Sequence, residues 1–291
     1  MESNLDTDGF TIVKSKKKYN SKLKLPISTQ NQIKSIDSTD IDDLINKIER
    51  IKNQLLNYDS EFFVSKILIH LSKIIQDYFV QFPNGLKNRI NLICYGLGSF
   101  EDSLTSRYQL VLLLIIIEEL EKNYQVKIEE IYDPIFNDID NFVIEKLLKY
   151  KPSLINNKCL KQVELGNQEN CLTLVYMPHC PKALYNNFLF ANWSRKHLKS
   201  FVLFGNSFAT IQTLTIEENF QKYYGYLKDS LEFLNEFKLD SKCEFTNAFY
   251  DLSFITFKPE ETSSPKNPFF NDDSPPLQLE APIYDSTEEI L

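Results

Sequence analysis

From Ser38 onward apolar residues recur at three-and-four spacing. Ile41, Leu44, Ile45, Ile48, Ile51 and Leu55 form one stripe, which predicts an amphipathic helix capped by Ser38 or Asp40. A second helix starts at Asp59 or Ser60, carries Phe63, Ile67, Leu71, Ile74, Ile75 and Tyr78, and stops before Pro83 and Gly85. Both are expected to pack onto the domain C-terminal to them. From Asn88 the texture changes to short apolar runs alternating with helices. RINLICYGLGS reads as a buried strand ending in glycine, and Ser106 with Gln109 as a capping box for the apolar helix Leu110 to Leu120. VKIEEIYDP is a second strand ending at Asp133-Pro134. Asn137 caps a helix with Asp138 and Asp140 in its first turn, closed by Pro152. Ser153 to Asn157 reads as a short third strand, followed by a linker around Gly166. CLTLVYMP is a strand, PKALYNNFLFANW a helix, and FVLFGNSF a strand entering a further helix or loop.

This rhythm predicts an α/β fold: a Rossmann-like, mainly parallel sheet with helices on both faces, preceded by two N-terminal helices. The expected divisions are a flexible Lys-rich arm over 1–37, a helical pair over 38–85, an α/β domain over 86–257, and a disordered tail over 258–291. In open parallel sheets ligands bind beyond the carboxyl ends of the strands, and right-handed crossovers put those ends on one edge. The ends that should converge carry Gly96, Gly98 and Ser99; Asp133; His179 and Cys180; and Asn206 with Ser207.

Charge alters the picture mainly by its location. The segment from Lys258 to Leu291 holds eight acids against two lysines, so most of the net −8 lies there, along with six of the twelve prolines. The remainder is near neutral, which gives no sign of a nucleic-acid surface. The run Lys14, Lys16, Lys17, Lys18, Lys22 and Lys24 is a candidate for nuclear import or an anionic partner. The longest apolar run, LVLLLIII, is a buried helix, far short of the roughly 20 residues of a membrane span. With no secretory leader pattern, the five cysteines are expected to be reduced and the chain cytoplasmic, and also nuclear only if the Lys run acts in import rather than as a solvated flexible arm.

The candidate chemistry divides four ways. Gly96 and Gly98 can bring backbone N–H groups to an anion, although Glu101 stands where a third glycine would complete the dinucleotide pattern. Asp133 is placed as a ribose-binding acid would be, which makes S-adenosylmethionine or a nucleotide a candidate cofactor. Pro181 suits the first helical position, making Cys180 the N-cap, where the helix dipole would favour a thiolate. Cys180-Pro181 also fits a weak haem-responsive pattern, and no spaced ligand pair marks a metal site. Asn186, Asn187 and Asn192 are poor helix formers that need solvent, a ligand or a neighbouring loop to satisfy their amides. Leu184, Phe188 and Ala191 mark the buried face of that helix, with Trp193 and Phe190 in the core.

CYGLGSF with SRYQL, then YDPIF, MPHCPKALYNNFLFANW and GNSF, taken in order, closely resemble the sensitivity-to-red-light-reduced, or SRR-like, family. Arg107 lies in the second of these strings and Lys182 in the fourth, so both join the candidate ligand or recognition residues. DGFTIV resembles the family's N-terminal segment and NAFYDLSFITF its closing strand, with Ile255 and Thr256 standing where a His-Trp pair is common. The resemblance implies a regulator acting through protein partners rather than an enzyme: plant members act in phytochrome signalling and circadian clock input, animal members in clock-gene expression and haem biosynthesis. It supplies no catalytic residues. A small-molecule ligand at the strand ends remains open, and neither a nucleic acid nor a membrane is indicated.

Overall fold

The computed structural model describes residues 38–57, 61–82, 88–166, 170–239, 246–258 and 280–284. The Lys-rich run and most of the acidic segment lie outside the described residues, as do Asp59, Ser60, Pro83 and Gly85. The elements are α1 (Ser38–Asn57), α2 (Glu61–Phe79), β1 (Asn88–Tyr95), α3 (Leu104–Glu121), β2 (Gln125–Tyr132), α4 (Asp138–Leu148), β3 (Asn170–Met177) and α5 (Lys182–Ala191). They continue with α6 (Arg195–Lys199), β4 (Phe201–Asn206), α7 (Phe208–Leu214), α8 (Glu217–Tyr223), α9 (Gly225–Ser230), β5 (Leu234–Lys238), α10 (Thr246–Phe249) and β6 (Leu252–Phe257).

The six strands lie in the order β2-β1-β3-β4-β6-β5. The first four are mutually parallel, whereas β6 runs antiparallel to both β4 and β5. The sheet is therefore mixed at one side, where a pure parallel sheet would need another helical crossover. Chain order reverses at β1, which sends its successor β2 to one side while β3 lies on the other.

Alternating side chains of β1 divide the core in two. Ile90, Leu92 and Cys94 face α1 to α4, whereas Ile93 and Tyr95 face α5 and the helices after it. The stripe of α1 is wholly buried from Ile41 to Leu55, and α2 buries Phe63, Ile67, Leu71 and Ile75. These two helices cover the outer side of α3, which explains why Leu110 to Ile117 is apolar around its whole circumference. Lys52 pairs with Glu118, and Lys146 with Asp42 at 2.8 Å, joining α1 to α3 and α4.

Two local expectations change. The cap of α3 is Ser103, whose hydroxyl accepts the Ser106 N–H at 3.2 Å, so Ser106 and Gln109 lie inside the helix. Residues 153–157 form no strand; Ser153 donates one backbone bond to Ile131 at 3.0 Å and the chain then leaves the sheet. The crossover from α4 to β3 is consequently helix-free over 149–166, and it buries Cys159 and Val163 against the second core. Asn137 and Asp140 do form a reciprocal capping box on α4. Residues 280–284 return to α5 through Tyr284.

Candidate functional site

A cavity of about 300 Å³ opens at the carboxyl ends of β1, β2 and β3, where chain order reverses. Gly96, Gly98, Asp133, His179 and Cys180 all line it. Ser99, Arg107, Lys182, Asn186, Asn187, Asn206 and Ser207 do not.

The two glycines are dictated by close approach. Gly96 and Gly98 have φ of +74° and +73°, and an added Cβ would collide with the Cys180 Sγ at the first and lie 2.5 Å from the Ser106 Oγ at the second. Their loop is held by internal carboxylates. Asp133 accepts the Gly98 N–H through Oδ2 at 2.8 Å and the Ile135 N–H through Oδ1 at 2.9 Å. Asp140, fully buried, accepts the Phe100 N–H at 2.7 Å, with the Glu101 N–H and Ser99 hydroxyl each at 3.4 Å. Arg107 ties down the same turn by donating to the Phe100 and Glu101 carbonyls, both at 2.6 Å. Backbone donors that would otherwise face an anion thus already have partners. Burial raises the Asp133 pKa above its ordinary value, the two N–H donors oppose the rise, and the nearby Asp140 adds to it.

At the β3–α5 corner, Pro181 rather than Cys180 occupies the N-cap, with φ −58° and ψ 146°, and Lys182 begins the helix. Cys180 lies one residue outside the region where N–H groups would stabilise a thiolate. Its Sγ points at the Tyr95 carbonyl at 3.5 Å, and burial first, then Asp133, push its pKa up. It is a buried thiol, poorly suited to act as a nucleophile or haem ligand. His179 sits at φ 56°, with its N–H donated to the Asn206 Oδ1 at 2.7 Å. Its Nε2 lies 3.0 Å from the Ala248 carbonyl. A carbonyl only accepts, so Nε2 carries a hydrogen there. Among the described residues no group of three or more His, Cys, Asp or Glu side chains is placed to hold a metal ion.

The remaining candidates fasten the site from behind. Asn187 donates to the Lys158 carbonyl at 3.0 Å and accepts from Tyr284 at 2.8 Å. Asn186 donates to Tyr284 at 2.9 Å and accepts the Leu227 N–H at 3.1 Å. Asn192 holds Val163, Lys161 and Phe188 with all three bonds within 2.9 Å. Neighbouring segments, rather than a ligand, satisfy the asparagines of α5. Ser207 caps α7 through the Thr210 N–H, and the Lys182 ammonium lies 5.1 Å from the centre of the Tyr224 ring.

Lining residues outside the candidates read from sequence include Thr105, Ser106 and Gln109, on one face of the first turns of α3, of which Ser106 and Gln109 were expected only as a helix cap. Gln109 is 3% exposed and Ser106 5%. Their one sequence signal is helical spacing of polar residues ahead of an otherwise apolar helix.

No solved structure matches the chain. The "SRR1-like protein" of Mus musculus is 32% identical over 144 residues, 48% of this chain and 53% of that protein. The "SRR1-like protein" of Drosophila melanogaster is 26% identical over 246 residues, 84% of this chain and 82% of that one. "Protein SENSITIVITY TO RED LIGHT REDUCED 1" of Arabidopsis thaliana is 27% identical over 161 residues, 55% of each chain. The matches thus span about half the length of the mouse and Arabidopsis proteins and most of the Drosophila one. The SRR1 domain family model matches residues 63–256, more than half the chain, taking in most of α2, β1 to β5, all but the last residue of β6 and every wall of the cavity, and so the chain belongs to the SRR1 domain family.

Proposed function

We propose that this chain is a regulatory protein that works by recognition at its strand-end face, using a doubly wound, Rossmann-like frame as a rigid support. The observation that carries the reading is the commitment of its reactive groups: Cys180 is held as a thiol, and the amides of the glycine loop are taken by Asp133 and Asp140. What the face offers outward is largely apolar. Leu104, Ile135 and Ile155 adjoin cavity-lining residues in sequence, Leu154 lies next to Ile155, and all four are 56–81% exposed. An apolar rim of this kind suits a protein partner better than a nucleic acid. The Arabidopsis relative's name supports a place in a light-signalling pathway. Circadian input and haem biosynthesis are the finer possibilities, in a cytoplasmic protein that reaches the nucleus through its Lys-rich arm.

The rim supplies the test. Ile135→Glu and Leu154→Glu alter exposed side chains and should leave the melting temperature within about 2 °C, since surface changes cost little. Expressed in place of the native chain, each should reproduce the null phenotype in light- or rhythm-dependent transcript levels. Full rescue by both variants would refute recognition at this face.

One observation favours a second reading as a cofactor-binding enzyme. The Gly96–Gly98 loop ending β1 and Asp133 ending β2 share one cavity at the point of reversal, where doubly wound sheets hold cofactors such as S-adenosylmethionine or a nucleotide. S-adenosylhomocysteine release with cell extract as the source of acceptors tests its methyl-transfer form. Product no greater than that of an Asp133→Asn control counts against it.

A further inference from the structure

The polar groups of the cavity discriminate among ligands. Gln109 is 3% exposed and lines the cavity, yet among the described residues its side-chain amide has no hydrogen-bond partner. The same holds for the Ser106 hydroxyl, 5% exposed and one helical turn away. Both residues line the cavity, so their amide and hydroxyl are available to a polar molecule held there. A glutamine amide presents a donor beside an acceptor, the complement of the adenine N6 and N7 edge. Asp133 faces the same space with each carboxylate oxygen bonded to one backbone N–H, so lone pairs remain for further donors such as sugar hydroxyls.

The cavity also opposes phosphate. The N–H groups of Gly98 and Phe100 are held by carboxylates, and Asp133 brings its own charge to the wall. Lys158, exposed at the margin, is the one lysine among the lining residues. Leu97, Pro134, Pro181 and Leu184 give apolar surface for the faces of a ring. About 300 Å³ is at the lower end for ligand pockets, which suits one base and sugar better than a dinucleotide.

We propose that the strand-end cavity is a binding site for a phosphate-free adenine nucleoside, with Gln109 reading the base edge and Asp133 accepting from the sugar hydroxyls. The proposal rests on the strand-end face being a recognition site and names the ligand that face takes.

Isothermal titration of the full chain with adenosine, inosine, AMP and ATP tests it. Adenosine is expected to bind, and inosine, which replaces the N6 donor with an acceptor, to bind about tenfold more weakly or worse, the discrimination of one bidentate amide–base pair. AMP and ATP should also bind more weakly than adenosine. Gln109→Met keeps the side chain's length and removes the amide. It should lower adenosine affinity at least about tenfold, while the ligand-free protein melts at the same temperature or higher because no internal bond is lost. Ser106→Ala gives a second variant with the same expected direction.

No binding of adenosine at millimolar concentration, tighter binding of AMP or ATP, or unchanged affinity in Gln109→Met would each overturn the proposal. So would a ligand-free Gln109→Met protein melting several degrees lower, because the amide would then be structural. Failure here leaves the rim reading standing, since the rim variants are scored by phenotype and not by nucleoside binding.

Discussion

Replacing Asn192 with Ala should release the helix-free crossover from the body of the domain. Asn192 is fully buried; its Oδ1 accepts the Val163 N–H at 2.8 Å and its Nδ2 donates to the carbonyls of Lys161 and Phe188, each at 2.9 Å. Two of those bonds belong to a stretch without helix or strand, which is also tied to α5 by the Asn187 bond to Lys158 at 3.0 Å. At about 1 kcal/mol per net hydrogen bond the loss comes to about 3 kcal/mol, and the buried Val163 N–H left without its acceptor argues against a smaller figure. In a domain of this size that corresponds to roughly 6–12 °C in melting temperature. Urea denaturation measures the global cost, and thiol labelling followed by peptide mass mapping locates it. Cys159, 3% exposed on the crossover, should label faster by up to about a hundredfold, because each 1.4 kcal/mol is a factor of ten in the open population. Cys94, fully buried near the carboxyl end of β1 in the other core, should lag behind it. A stability change under about 0.5 kcal/mol, or Cys159 labelling no faster than Cys94, would refute the view of Asn192 as the fastener of the crossover.

Three further outcomes test other parts of the frame. In Gly205→Ala the new Cβ would lie 2.8 Å from the Tyr185 Oη and 3.0 Å from the Met177 carbonyl; Tyr185 donates to that carbonyl and accepts the Asn206 N–H, so it cannot yield, and chemical denaturation should show a loss of about 2 kcal/mol. Asn91→Val should raise stability by about 1 kcal/mol, read as a higher melting temperature, because neither side-chain amide atom of this fully buried residue nor the hydroxyl of its sheet neighbour Thr173 has a hydrogen-bond partner among the described residues. Burial lowers the His197 pKa below 6.5, so the unfolded chain binds the extra proton: stability is complete above pH 6.5 and falls with pH toward the native value, by up to about 1.4 kcal/mol per unit. His70 is lowered the same way, by burial and then Lys73, and adds to the slope; denaturation at pH 7.5 and 5.5 should show His197→Gln flattening the His197 share.

The parts legible in the sequence are those fixed by local periodicity. The α1 stripe from Ile41 to Leu55 and the apolar runs of β1, β3 and β4 needed only spacing and burial. The β5 segment LNEFK did not stand out because it is an edge strand, largely exposed and paired on one side only. Helix α6 has five residues, too few for a periodic signal, and owes its start to the Ser194 side chain. Ser153 to Asn157 has a strand's composition, but its chain leaves β2 after a single bond. The α5 asparagines demanded partners; identifying them required Lys158 and Val163 on one side and Leu227 and Tyr284 on the other, 29 to 98 positions distant.

The same limit shaped the view of the site, and there it bears on function. Convergence of strand ends follows from topology, so Gly96, Gly98, Asp133, His179 and Cys180 come together as parallel pairing requires. A glycine-rich turn before a helix suggests an anion cradle only while its amides lack partners. Here Asp133, at the end of the neighbouring strand, and Asp140, inside the capping box of α4, reach back 35 and 40 positions to supply the negative charge from within. A phosphate would have to displace a buried carboxylate or share its donors, at a cost far above one hydrogen bond. That internal neutralisation moves the polar opportunity away from the glycines and onto the face of α3. There Ser106 and Gln109 are buried against the cavity with no internal partner among the described residues to justify their polarity.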